Sequence, residues 1–157
     1  MYETIVVGTD GSSRANIALD HAIALAHAFG SQLHIVHAVN DRPRDSATMG
    51  GATKAHLEIN QSYDRGDPVT AAAMTRANEH GVSGQIHAPL GDPADMLISI
   101  AEAQHADLVV LGNRGMGGLR RFVLGSVPDR IAHRCPCNLL IVDTENPNGP
   151  QPDLDDV

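Results

Sequence analysis

Five short runs rich in β-branched and aliphatic residues, Thr4 to Val7, Leu33 to Val36, Gln85 to Ala88, Leu108 to Leu111 and Leu139 to Val142, alternate with segments of helical period. The first, fourth and fifth runs are continuous rather than alternating, the pattern of strands covered by helices on both faces of a parallel sheet. The sequence therefore predicts an α/β fold with five strands. Its 157 residues, 42% of them apolar, suffice for one hydrophobic core and fit one domain better than two.

The intervening helices carry their own boundaries. Ser13 to Phe29 places Leu19, Ala22, Ile23, Ala26 and Phe29 at helical spacing, with Gly30 as the residue that ends it. Pro68 to His80, stopped by Gly81, reads as a second helix. Asp92-Pro93-Ala94-Asp95 supplies an N-cap, a proline at the first position and an acid in the first turn of a third, striped by Leu97, Ile100 and Ala101. Val127 to His133 is a short fourth, started by Ser126 with Asp129 three residues on. Asn40 to Asp67 lacks periodicity, contains Pro43, Gly50-Gly51 and Gly66, and reads as a mobile flap. Residues 143–157 hold five acids, three prolines and no base; they read as a disordered tail after a domain spanning 1–142, and their removal takes the net charge from −8 to −3.

Composition removes several function classes. A net charge of −8 disfavours nucleic acid and anionic membranes as bulk partners, and four aromatics without a tryptophan give little base-stacking material. No apolar run is long enough to span a bilayer, and the N-terminus lacks the basic and apolar segments of a secretory signal, so a cytoplasmic location is expected. Cys135 and Cys137 are too few and too close for a disulfide framework.

The chemistry concentrates in Leu111-Gly112-Asn113-Arg114-Gly115-Met116-Gly117-Gly118-Leu119-Arg120-Arg121-Phe122-Val123-Leu124-Gly125-Ser126. This segment leaves the fourth strand and ends at a helix. Glycines allow main-chain N–H groups to approach a phosphate, and Arg114, Arg120 and Arg121 form the dense basic cluster of an acidic chain. The loop suits a polyphosphate anion. A Walker A loop is excluded because the single lysine, Lys54, lies in Thr53-Lys54-Ala55, and a dinucleotide GxGxxG turn is excluded because the first strand continues into Gly8-Thr9-Asp10-Gly11-Ser12.

Gly112, Gly115, Gly125 and Ser126 resemble the pattern of ATP-binding universal stress proteins, in which Gly, two residues, Gly, nine residues and Gly precede Ser or Thr. With Gly near 7% of residues, chance gives this spacing in such a chain less than about 1% of the time, so the match carries weight. Val6-Val7-Gly8-Thr9-Asp10-Gly11-Ser12 and Ala18-Leu19 are similar to the same family's first strand, turn and helix, and the likeness runs from about Tyr2 to Val142. The resemblance implies a three-layer α/β/α fold with a five-stranded parallel sheet of order 3-2-1-4-5, ligand at the switch point between the first and fourth strands. It implies ATP, with Mg²⁺, as cofactor, with AMP or a cyclic nucleotide as the alternative ligands. Asp10 would face the ribose or a metal-bound water, the main chain at Val39 would lie against adenine, and Gly112, Gly115, Gly125, Ser126 and Val127 would line the phosphates. Charge and position add Arg114.

Two features depart from the family pattern: Ala15 replaces a frequent Ser, and Pro128 removes one N–H from the fourth helix. Asp10 has a simpler reading as a turn-capping carboxylate. His133, Cys135 and Cys137 could hold a soft metal or form a redox pair, or merely make a helix-to-strand turn. His34 and His37, three apart on one strand, should point to opposite faces. No separate catalytic base is evident, which predicts a nucleotide-dependent regulatory switch with slow hydrolysis at most, acting on an unidentified protein partner. The alternative is a scaffold of the same fold without nucleotide. The apolar fifth strand lies at the edge of the implied order and predicts a homodimer.

Overall fold

The structure, a computed structural model, describes residues 1–39, 67–113, 124–145 and 152–154. The five expected strands are β1 (Thr4–Gly8), β2 (Gln32–Val36), β3 (Gly84–His87), β4 (Leu108–Gly112) and β5 (Asn138–Val142). They form one parallel sheet of order β3-β2-β1-β4-β5. Among the described residues four helices flank it: α1 (Ser13–Phe29), α2 (Pro68–Glu79), α3 (Pro93–Ala103) and α4 (Ser126–Ala132). Each run seen in the sequence lies within one residue of its strand.

Central β1 explains the continuous runs. Ile5, Val6 and Val7 are all fully buried, because Ile5 and Val7 point toward α1 and α2 while Val6 points toward α3 and α4. The first layer gathers Leu19, Ala22, Ile23 and Ala26 of α1 with Ala73 and Ala77 of α2; the second gathers Ala94, Leu97, Ile98 and Ala101 of α3 with Ile131 of α4. Edge strand β5 divides its side chains likewise, Leu140 toward the first layer and Leu139 toward the second.

Local chemistry sets the helix ends. Ser12 Oγ accepts the Ala15 N–H at 3.1 Å to start α1, and Gly30, with φ of 66°, closes it. Asp67 and Asp92 cap α2 and α3, each followed by proline. The fourth helix differs from its sequence reading. Its N-cap is Gly125, not Ser126, and no side chain caps it, because the helix begins one residue earlier and Ser126 becomes its first helical residue. Pro128 stands within the first turn, where it supplies no N–H.

Contacts extend past the expected boundary at Val142. Thr144 is buried and hydrogen-bonded to Asn113, and Leu154 joins the first layer, its carbonyl 3.0 Å from His80 Nδ1. The segment read as a flap, 40–66, and residues 146–151 and 155–157 of the segment read as a tail lie outside the described residues. Among the described residues, no helix is long and apolar enough to cross a membrane.

Candidate functional site

The carboxyl ends of the parallel strands open onto one edge of the sheet, and the order reverses between β1 and β4. Gly8 ends β1 against the Leu111 and Leu97 side chains, so that a Cβ there would crowd Leu97 at 3.0 Å. The chain then turns tightly: Thr9 N–H donates to Val36 O at 2.9 Å, Gly11 N–H to Thr9 Oγ1 at 3.2 Å, and Ser12 N–H to Asp10 Oδ1 at 3.0 Å. Gly11 has φ of 76° and an added Cβ would meet Val69 at 3.0 Å, so conformation and space both demand glycine. Asp10 makes the turn anticipated by its simpler reading while remaining partly exposed at the switch point.

On the β4 side, Asn113 follows Gly112 and acts as a clasp. Its N–H donates to Val142 O at 2.8 Å and its main-chain carbonyl accepts the Gly125 N–H at 3.0 Å, so both ends of the glycine segment meet beside β4. Its side-chain amide donates to Asp143 Oδ1 at 2.9 Å, and its side-chain oxygen accepts from Thr144 N and Oγ1 at 3.1 and 2.8 Å. Gly125 adopts φ of −62° and ψ of 161°, angles open to any residue. Ser126 and Val127 follow directly. Arg114 and Gly115, with Arg120 and Arg121, lie outside the described residues.

Val39 reaches the same edge beyond β2 through a single bridge to Leu90. Its N–H donates to Pro89 O at 2.8 Å and its carbonyl accepts from Gly91 N at 3.1 Å, which leaves that oxygen one further lone pair. Of the sequence-derived residues, the structure therefore brings Asp10, Val39, Gly112, Gly125, Ser126 and Val127 to the carboxyl edge.

Several polar groups near this edge escaped the sequence reading. His37 Nδ1 lies 3.1 Å from both carboxylate oxygens of Asp67, which also accepts the Thr70 N–H at 2.8 Å. Burial opposes the charge on Asp67, but the bonds from Thr70 and His37 outweigh it and hold the carboxyl below its ordinary range. Asp92 balances in the same way: burial is outweighed by Arg130 and the N–H groups of Asp95 and Ala94. Arg130 reaches Asp92 at 2.7 Å and Asp95 at 3.1 Å, and Arg134 reaches Asp95 at 2.7 Å, tying α4 to α3. A signal existed in the two acids of Asp92-Pro93-Ala94-Asp95 and the i, i+4 pair Arg130 and Arg134, but it says nothing of which helices meet.

His34 and His37 diverge as expected. Fully buried His34 stacks on His87, ring centroids 5.3 Å apart, with Nδ1 3.0 Å from His87 Nε2; burial and the neighbouring imidazole lower its pKa to about 4. His34 is thus neutral near pH 7. Burial, reinforced by Cys135, pushes the Cys137 thiol up to about 12. Among the described residues no group of three or more His, Cys, Asp and Glu side chains is arranged to hold a metal ion.

Known proteins resemble the chain over nearly its whole length. The sequence model of the universal stress protein family matches residues 1–143. A universal stress protein of Methanocaldococcus jannaschii is 32% identical over 144 residues, which cover 90% of this chain and 82% of that protein. One from Mycobacterium tuberculosis strain H37Rv is 33% identical over 153 residues, covering 91% and 97%. Among solved structures, a universal stress protein in complex with cAMP matches with a TM-score of 0.67 at 32% identity, covering 92% of this chain and 98% of that one. The Archaeoglobus fulgidus protein in complex with dAMP shares the fold, with a TM-score of 0.63 at 23% identity and coverage of 90% and 98%.

Proposed function

Because the chain belongs to the universal stress protein family, we propose that its carboxyl-edge crevice binds ATP with Mg²⁺ and that the protein is a nucleotide-dependent switch in a stress response. The observation that carries this reading is the meeting of the β1 turn and both ends of the glycine segment beside β4, closed by the Gly125 to Asn113 hydrogen bond. The cAMP complex of a 32% identical relative supports an adenine nucleotide as the ligand class.

The donor set fits such a ligand. Asp10 offers a hard carboxylate oxygen of the kind Mg²⁺ or its water shell accepts, and also a partner for ribose hydroxyls. Val39 presents the spare lone pair of its carbonyl to an adenine amino group. Gly112, Gly125, Ser126 and Val127 place main chain toward the phosphates, with Gly115 and Arg114 completing the loop by sequence. Pro128 withholds one donor. Groups that hold ground-state phosphates do not by themselves stabilise a transition state, so turnover is expected far below the roughly 10 s⁻¹ typical of enzymes.

Gly125→Val tests the site: it adds a branched side chain at the residue whose N–H meets Asn113, while its backbone angles remain acceptable. Calorimetry with ATP and Mg²⁺ should show binding to the wild type and none to the variant, with unchanged circular dichroism. Equal affinity in both would overturn the assignment, and no binding in either, with no nucleotide co-purifying in native mass spectrometry, would favour the scaffold alternative.

Self-association through β5 belongs to the same reading. Leu139, Leu140 and Ile141 on this edge strand are only half-buried, and an apolar edge invites pairing with a second copy. Ile141→Lys, outside both core clusters, should shift a dimer toward monomer in sedimentation velocity. A wild type that is monomeric at micromolar concentration would exclude it.

A further inference from the structure

The turn joining α4 to β5 lies at the opposite, amino end of the sheet, away from the crevice. Both of its cysteines are free and half-buried. Their positions are two apart on either side of Pro136, where the chain bends before β5 begins at Asn138. The Sγ atoms stand 4.0 Å apart, and both point to the same acceptor, the main-chain oxygen of Asn138, at 3.9 Å from Cys135 and 3.6 Å from Cys137.

These three atoms form a nearly equilateral triangle. A point exists about 2.2 Å from each of them, which is the length of zinc–sulfur and zinc–oxygen bonds. The sulfur separation is about twice that of a disulfide and matches two thiolates spread around one ion. We propose that Cys135 Sγ, Cys137 Sγ and the Asn138 carbonyl oxygen form a binding site for a thiophilic divalent cation of the zinc type.

Surrounding groups suit that occupant. A cavity of about 550 Å³ lined by Tyr2, Phe29, Asp107, Cys137 and Asn138 opens beside Cys137 and leaves room for an ion to enter. Asp107, fixed by the N–H groups of Glu3 and Thr4 at 2.8 and 2.9 Å, adds negative charge on the cavity wall. Two thiolates neutralise a divalent ion, so the occupied turn buries no net charge; binding releases the two thiol protons to solvent.

The test uses the untagged full-length chain, reduced and metal-free, titrated with Zn²⁺. One equivalent should bind per chain with release of protons, and Cys135→Ser and Cys137→Ser should each weaken binding at least about 100-fold, the upper range for loss of outer-sphere groups alone. Zn²⁺ should also protect both cysteines of the wild type from iodoacetamide, and a chelator should reverse the protection; this readout needs no variant to fold. The proposal is overturned if the wild type with two titratable thiols takes up no Zn²⁺, if the doubly substituted chain binds it equally, or if alkylation proceeds unslowed. Nucleotide binding at the far edge should be the same in all these chains, so the outcome is independent of the ATP reading.

Discussion

Six residues of the 17-residue helix α1 are buried against one face of the sheet, whereas the seven-residue helix α4, on the other face, buries only Pro128 and Ile131. The long helix is fastened by apolar area. The short one adds to its single buried aliphatic side chain, Ile131, the ion pairs of Arg130 and Arg134 with Asp92 and Asp95, side chains that are about half exposed. Apolar contacts resist any displacement, while flexible charged side chains tolerate small shifts of the backbone they tether. The element that follows the candidate phosphate loop is therefore the one fixed by adjustable links, and the element behind the β1 turn is fixed by packing.

The largest effect expected from breaking this contrast is in α1. Ile23→Ala removes a fully buried side chain from the first layer and should cost about 2–5 kcal/mol in urea unfolding. A loss below 1 kcal/mol would mean that the layer can collapse onto the vacancy.

Next comes acid. His34 lies on the α3 and α4 side of β2, and its folded pKa of about 4 is below the ordinary 6.5, so the unfolded chain binds more protons between those values. Stability is fully present above pH 6.5 and falls as the pH drops toward 4, by about 3 kcal/mol in total. His34→Gln should flatten that stretch of the curve of unfolding free energy against pH. Asp92 acts in a separate window: with its folded pKa lowered, its contribution is present above the unfolded value of 3.8 and is lost as the pH falls through the folded one.

The smallest effect belongs to the ionic link itself. Arg130→Ala should cost less than about 1 kcal/mol at low salt, and less again at high salt, because both partners are well exposed. If it instead matched Ile23→Ala, the distinction between the two faces would fail.

Strands and the extent of α1 were legible because their causes are local: continuous aliphatic runs, the helical spacing from Leu19 to Phe29, and Gly30 at the end. The sheet order came with family resemblance rather than from any run of residues. For the candidate site, Gly112 and Gly125 came from motif spacing and Asp10 from family resemblance, but the clasp made by Asn113 could not be read, since its partners Asp143 and Thr144 are 30 and 31 residues away and meet it only once β4 and β5 pair. His34 and His87 pair across 53 residues for the same reason, through the register of β2 and β3. The start of α4 was misplaced by one residue because Ser126 has the composition of a cap, whereas tertiary contact of Gly125 with Asn113 decides where the helix begins.

Asn113 holds Gly125 through its main chain and the residues leaving β5 through its side chain. If the proposed nucleotide binds beside Gly125 and the proposed second copy pairs with β5, Asn113 touches both places and the two equilibria become linked. Whatever free energy a ligand spends in shifting Asn113 is reflected, equal in size, in the affinity of anything that pairs with the β5 edge, and the reverse holds for a partner that binds the edge first. A double-mutant cycle joining Gly125→Val with Ile141→Lys would read that coupling energy directly.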